Sequence, residues 1–131
     1  MPRLTACCLA SLLLTACQGD ETISGYANGV WTLTEMDGGP APAQVILDVT
    51  EQGRISGHSP CNRYSGSQNV PYPWFETGPL SVTRMACPEL EAETRYLALL
   101  HSMTLAEATG DVLILSNEAG EELIFARQLA D

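Results

Sequence analysis

The sequence predicts a mainly β fold of the α+β class: a small antiparallel, barrel-like sheet with one amphipathic helix packed on it. Apolar and polar residues alternate through most of the chain after residue 28, which is the pattern of half-buried strands, and turn sequences separate these runs. One later segment instead repeats its apolar residues at helical spacing. Short, regularly spaced strands with turns between them are typical of an antiparallel barrel or a strongly curled sheet.

Seven segments carry the strand pattern. The four-residue segment 117–120 (NEAG) separates the last two and predicts a hairpin turn. The segments at 74–77 and 80–83 are the least regular of the set. The predicted strands cover residues 31–34, 45–50, 54–59, 74–77, 80–83, 112–115 and 123–126.

The helix is predicted over Pro88–Ser102. Proline suits the first helical position, and the acidic residues that follow it favour the positive end of the helix dipole. His101 falls near the opposite end, where partial negative charge favours an imidazolium. The apolar stripe that would face the sheet consists of Leu90, Tyr96, Leu97, Leu100 and Met103.

The N-terminus has the layout of a bacterial lipoprotein signal. A basic residue, Arg3, precedes an apolar stretch, and Leu14–Cys17 (LTAC) resembles a lipobox. The stretch is shorter than the roughly 20 residues that a transmembrane helix needs. We therefore expect residues 1–16 to be a signal peptide, cleavage after Ala16 and acylation of Cys17. Leu4–Cys7 has the same lettering but almost no apolar segment before it, and cleavage without acylation is the other alternative.

The predicted domain organisation follows from this signal. Residues 17–28 are mostly small and polar and are expected to form a tether, and residues 29–131 a single domain. The expected partner of the N-terminus is the membrane, through the lipid. Gln18, which follows the acylated cysteine, resembles lipoproteins sent to the periplasmic face of the outer membrane. The sequence predicts no oligomeric state.

Two cysteines remain for the aqueous domain. Of the five in the chain, Cys7 and Cys8 leave with the signal and Cys17 is acylated. Exported chains usually pair such thiols, so we predict a disulfide between Cys61 and Cys87. The competing alternative is a zinc site that adds His58 and His101, although the spacing matches no compact finger. A nucleophile pair of Cys61 with His58 or His101 fails because a cysteine in a disulfide cannot attack a substrate.

Composition limits the partners. The chain has 6 Lys plus Arg, all of them arginine, against 16 Asp plus Glu, and a formal net charge of −10. Nucleic-acid binding needs a basic footprint, which is missing here. The sequence also has no recognisable Ser-His-Asp set, G-x-S-x-G elbow, phosphate loop or metal motif. We therefore predict no catalytic residue, metal or cofactor. A binding or stress module is favoured over an inhibitor of an exported hydrolase or a hydrolytic enzyme.

Two motifs give the chain a specific resemblance. Residues 57–66 read GHSPCNRYSG and residues 82–88 read VTRMACP, with a W-x-L strand upstream and GEELIF near the C-terminus. Together they resemble the META domain of HslJ-like lipoproteins, from about Trp31 to Phe125. The resemblance implies a compact β-rich fold with one helix, no established enzyme chemistry and an association with heat shock. Pro60 and the stretch at residues 71–74 depart from the family pattern.

The motif residues also define the candidate binding site. Asn62 tolerates turn conformations and can end the strand after Cys61. Arg63 and Arg84 lie close to the two cysteines in sequence, so a disulfide would bring them near one another. We expect carboxylate partners for both arginines, and an anion site is the alternative. A surface site would use Asn62, Arg63 and Arg84 to bind an envelope protein.

Overall fold

The computed structural model describes residues 19–129 of the chain. The predicted signal peptide and Cys17 lie outside these residues. Within them, no helix combines the length and apolar character needed to span a bilayer. The elements in chain order are α1 (Ile23–Tyr26), β1 (Val30–Met36), β2 (Gly39–Pro40), β3 (Ile46–Asp48), β4 (Arg54–His58), β5 (Arg63–Ser67), β6 (Ser81–Val82), α2 (Leu90–Ser102), β7 (Leu105–Thr109), β8 (Val112–Ser116) and β9 (Glu122–Arg127).

The strands form one antiparallel sheet. Their order is β6-β5-β4-β3-β1-β9-β8-β7, and the short β2 pairs with the end of β1. The edge strands β6 and β7 do not pair with each other in the described part of the chain, so the sheet is barrel-like but not closed. The predicted fold class, mainly β with one long helix, is confirmed.

The core lies between the sheet and α2. Alternate residues of the strands point inward, as the period-two pattern predicts, and fully burying one large apolar side chain stabilises the fold by about 1.5–3 kcal/mol. The helix begins at Leu90 rather than Pro88, and Leu90 is 43% exposed instead of buried. Buried core side chains include Trp31, Leu33, Leu47, Ile55, Leu113, Leu115, Leu123 and Phe125 from the strands, and Tyr96, Leu99 and Leu100 from α2.

The strand predictions fail where apolar residues are sparse. Strand β5 contributes only Tyr64 to the core, and the inward residues of β7 are the small Ala106 and Ala108, so neither strand was predicted. Conversely, the strand predicted over residues 74–77 is reduced to a single bridge between Trp74 and Leu105. The predicted turn between β8 and β9 is present: the backbone N–H of Gly120 donates to the carbonyl of Asn117 at 3.1 Å.

Part of the segment predicted as a tether is folded. Ile23, the first residue of α1, and Ala27, which follows the helix, are buried in the core. The backbone N–H of Tyr72 donates to the carbonyl of Glu21 at 2.8 Å. The side chains of Thr22 and Ser24 donate to the Asp20 carboxylate, and these hydrogen bonds lower the pKa of that group. The folded domain therefore includes residues from about 20 onward, well before residue 29.

Candidate functional site

The two cysteines predicted to pair are joined in the structure. Cys61 follows β4, Cys87 precedes α2, and their Cα atoms lie 5.5 Å apart, within the usual range for a disulfide. The bond ties the turn between β4 and β5 to the start of the helix. It also uses both thiols, which leaves neither available as a nucleophile or metal ligand.

A buried carboxylate from the helix holds the same turn. Glu93 is 2% exposed, and its Oε1 accepts hydrogen bonds from the Ser59 hydroxyl and from the backbone N–H groups of Cys61 (3.0 Å) and Asn62 (2.7 Å). Its Oε2 accepts from Asn62 Nδ2 at 2.7 Å. Burial raises the pKa of Glu93, but the hydrogen bonds from Ser59, Asn62 and Cys61 outweigh burial and lower the pKa below its ordinary value. The group is therefore a carboxylate at neutral pH.

Asn62 is a structural residue rather than a surface binding residue. It is 5% exposed, and its Oδ1 accepts hydrogen bonds from Thr83 Oγ1 (2.9 Å) and from the backbone N–H of Met85 (2.6 Å). Its Nδ2 donates to the Met85 carbonyl at 3.0 Å in addition to Glu93. Because these bonds occupy both sides of the amide, Asn62 joins the two motifs to the helix and is not free to bind a partner.

A second polar contact joins the helix to the sheet. The Tyr64 hydroxyl donates to the Ile46 carbonyl at 2.6 Å, so it must accept the hydrogen bond from Tyr96, whose oxygen lies 2.7 Å away. Burial raises the pKa of both tyrosines, and both stay neutral donors. A Cβ at Gly57 would lie 1.9 Å from the Ile46 oxygen and 2.7 Å from the Tyr64 oxygen, so glycine is needed there.

The two arginines do not form the predicted ion pairs. Arg63 and Arg84 are both exposed, and within residues 19–129 no carboxylate lies within 4 Å of either guanidinium. The Glu93 carboxylate is instead hydrogen-bonded by the neutral donors of Ser59, Cys61 and Asn62. The ion pairs in the described residues are Arg54–Glu51, Arg95–Asp37 and Arg127–Asp111.

The two arginines line two different surface cavities that share Met85 as a wall. Arg63 lines a cavity of about 620 Å³ together with His58. Arg84 lines an open groove of about 510 Å³ on the α2 side, where Leu90 forms part of the wall. Met85 borders both spaces and is 68% exposed. We call Arg63, Arg84 and Met85 the arginine rim. The two guanidinium groups therefore line neighbouring cavities and do not share one cavity.

The zinc alternative is not assembled. His58 ends β4, whereas His101 lies in the last turn of α2, with its Nδ1 3.2 Å from Thr77 Oγ1. A helix of 13 residues is about 19 Å long, which separates His101 from the disulfide at the start of α2. In the part of the chain that the structure describes, no three His, Cys, Asp or Glu side chains are grouped to hold a metal ion.

Glu93 is the central residue of this region that the sequence did not single out. An acid in the first turn of a helix is ordinarily explained by the helix dipole. The hydrogen-bond partners of Glu93, however, belong to a turn about 31 residues earlier in the chain. The sequence carries no spacing signal for such a contact.

Solved structures share this fold. An NMR structure of a protein from Burkholderia xenovorans matches with 26% identity and a TM-score of 0.63, covering 82% of this chain and 88% of the other. A second NMR structure matches with 25% identity and a TM-score of 0.61, covering 76% and 89%. A crystal structure of a DUF4847 family protein from Bacteroides vulgatus matches with 13% identity and a TM-score of 0.61, covering 83% of this chain and 99% of the other. At this identity the match shows the fold alone.

The family comparison agrees with the two motifs. No curated protein sequence matches the chain. The META domain profile matches residues 24–130, which include both motifs, the disulfide and α2. The match begins within α1. The chain therefore belongs to the META domain family.

Proposed function

We propose that this protein is a membrane-anchored envelope lipoprotein whose META domain is a non-catalytic binding module of the stress response. Cys17 carries the lipid and holds the domain at the periplasmic face of the outer membrane. The arginine rim contacts an envelope protein through carboxylate groups of that partner. The lipobox, the family and the chemistry of the rim support the proposal.

The observation that carries this proposal is the exposure of Arg63 and Arg84 without carboxylate partners in the described part of a chain whose net charge is −10. A guanidinium group binds a carboxylate through two parallel hydrogen bonds. The backbone beneath the rim is held by the disulfide and by Glu93. A preorganised site of this kind loses little conformational entropy on binding.

The chemistry of the rim fits binding better than catalysis. A guanidinium is protonated at all ordinary pH values and accepts no hydrogen bond, so it cannot act as a general base. The nearest thiols are joined to each other, and a disulfide sulfur is not a nucleophile. Met85, which borders both cavities, adds an exposed and adaptable apolar contact, which is common at protein-binding surfaces.

Crosslinking through an introduced lysine tests the rim. The chain has no lysine, so an amine-reactive crosslinker finds no lysine on the wild-type protein. Ala86→Lys places one amine beside the rim and keeps both arginines. Gln52→Lys places the control amine in the turn before β4. Arg63 of the rim lies beyond the opposite, C-terminal end of β4.

We expect Ala86→Lys to give a discrete crosslinked product in intact cells and Gln52→Lys to give none. Adding Arg63→Glu and Arg84→Glu to Ala86→Lys should abolish the product, as measured by electrophoresis and mass spectrometry. The same product from both lysine positions, or one that survives charge reversal, would place the partner elsewhere.

The anchor is tested independently of the rim. Cys17→Ala should abolish lipid labelling and move the protein from the membrane fraction to the soluble fraction. Labelling that persists in this variant refutes acylation at Cys17. Wild-type protein found only in inner-membrane fractions refutes the assignment to the outer membrane.

A further inference from the structure

The end of the molecule away from the arginine rim carries exposed aromatic side chains. Tyr26 and Trp74 are each 57% exposed, and Leu105, bridged to Trp74 through the backbone, is 40% exposed. Tyr72 stacks on Tyr26 with ring centroids 4.5 Å apart. We call these four residues the aromatic face. Exposed aromatic residues that adjoin one another in this way mark an interaction surface more often than single exposed residues do.

The chain enters the fold beside this face. The carbonyl of Glu21 accepts the hydrogen bond from the backbone N–H of Tyr72, a member of the face. Cys17 precedes Glu21 by four residues. An extended chain spans at most about 3.5 Å per residue, so four residues reach at most roughly 14 Å from Glu21. A lipid on Cys17 would therefore be tethered within short reach of the aromatic face.

The arginine rim lies at the other end of α2. Leu90, the first residue of the helix, shares a groove with Arg84, whereas Ser102, the last, lines a cavity with Trp74. The 13 residues of the helix extend for about 19 Å. The helix therefore separates the lipid-proximal end of the domain from the rim.

We propose that the aromatic face lies in the headgroup region of the membrane that holds the lipid, so that the arginine rim points into the aqueous space. This inference rests on the proposed acylation of Cys17. Tryptophan and tyrosine concentrate at the membrane–water interface because their rings are apolar and their N–H or O–H groups remain hydrated. The four aromatic-face residues alone bury too little area for stable binding, but the tether gives them a high effective concentration at the bilayer.

The charges near the face select the lipid. Glu21 lies at the point where the chain enters, and Glu76 lines the cavity that Trp74 borders. Carboxylates at this position are repelled by anionic headgroups. The contact should therefore be stronger on phosphatidylcholine vesicles than on vesicles that contain phosphatidylglycerol.

Tryptophan fluorescence tests the orientation directly. The chain has two tryptophans, of which Trp31 is fully buried and Trp74 is exposed. Full-length acylated protein is reconstituted on phosphatidylcholine vesicles with or without bromine on the acyl chains. We expect the brominated lipid to quench the Trp74 emission. Trp74→Phe should leave only the Trp31 emission, unquenched. Met85→Ser, a matched loss of an exposed apolar side chain at the rim, should leave the quenching unchanged.

Tyr26→Ser combined with Leu105→Ser should reduce the quenching while the lipid keeps the protein on the vesicles, as measured by co-sedimentation. Acylated protein that co-sediments without quenching of Trp74 overturns the orientation and leaves the anchor intact. Protein that carries no acyl group and does not co-sediment overturns the anchor, and the orientation with it.

Discussion

The two ends of α2 are held in different ways. Near its start, the Glu93 carboxylate and a disulfide fix a polar turn, and few apolar side chains are involved. Near its end, Leu99, Leu100 and Met103 pack into the core, and the exposed ring of Trp74 lines the cavity beside the last turn. Buried polar partners therefore dominate at the first end, whereas apolar packing dominates at the second.

This difference explains why the sequence motifs belong to the first end. A turn held by hydrogen bonds needs particular donors at particular positions, whereas a packed end accepts many apolar residues of similar volume. Even within the motif, neighbouring residues have different roles. Asn62 is buried and structural, whereas Arg63 beside it is exposed and available to a partner.

The largest expected effect is the loss of the buried carboxylate. Glu93→Ala leaves the backbone N–H groups of Cys61 and Asn62 without an acceptor, whereas the Ser59 hydroxyl and Asn62 Nδ2 keep a second acceptor in the carbonyls of Asn62 and Met85. Since each unsatisfied buried donor costs about 1–3 kcal/mol, we expect the free energy of unfolding to fall by roughly 4 kcal/mol. Urea denaturation measures the change. Glu91→Ala, which removes an exposed acid from the same helical turn, should change it by less than about 0.5 kcal/mol. Equal effects for both variants would contradict the role of Glu93.

The disulfide should contribute slightly less than the carboxylate. Closing a loop of 26 residues stabilises a fold by about 3.5 kcal/mol in the chain-entropy model. Cys61→Ala together with Cys87→Ala should lower the free energy of unfolding by about this amount. Thiol titration of the unfolded mature protein should detect no free thiol from either residue before reduction. Two reduced thiols with one bound zinc ion per protein would overturn the disulfide.

Protonation of Glu93 should lower the free energy of unfolding by less than either substitution does. Hydrogen bonds hold the pKa of Glu93 below its ordinary value of 4.5 despite burial, so the unfolded chain takes up this proton first as the pH falls. The stabilisation is therefore complete above about pH 4.5 and is lost as the pH falls through the lower pKa of the folded protein.

Glu93→Gln provides the control, because it removes this titration while the other carboxylates still titrate. We expect the urea midpoint of the wild-type protein to fall more steeply than that of the variant between about pH 5 and pH 3. Parallel curves would show that the Glu93 pKa is not lowered by folding.

The sequence predicts the apolar part of the fold better than its polar connections. Trp31 and Leu33 reveal their strand because large inward side chains alternate with threonines, whereas Leu113 and Leu115 belong to a continuous apolar run of four residues. Strand β7 has only alanines at its inward positions and so gives no pattern. The disulfide was predictable because only two cysteines lie outside the predicted lipoprotein signal and lipidation site. The contacts of Glu93 and Asn62 depend on a long-range approach that no local spacing encodes.

The smallest expected effect concerns the arginines of the same motif. Because Arg63 and Arg84 are exposed and have no carboxylate partner among the described residues, Arg63→Glu with Arg84→Glu should change the free energy of unfolding by no more than about 1 kcal/mol. Urea denaturation of the double variant measures this value. A loss as large as that of Glu93→Ala would mean that the arginines support the turn. A small loss would instead separate the structural half of the motif from the half that is free to bind.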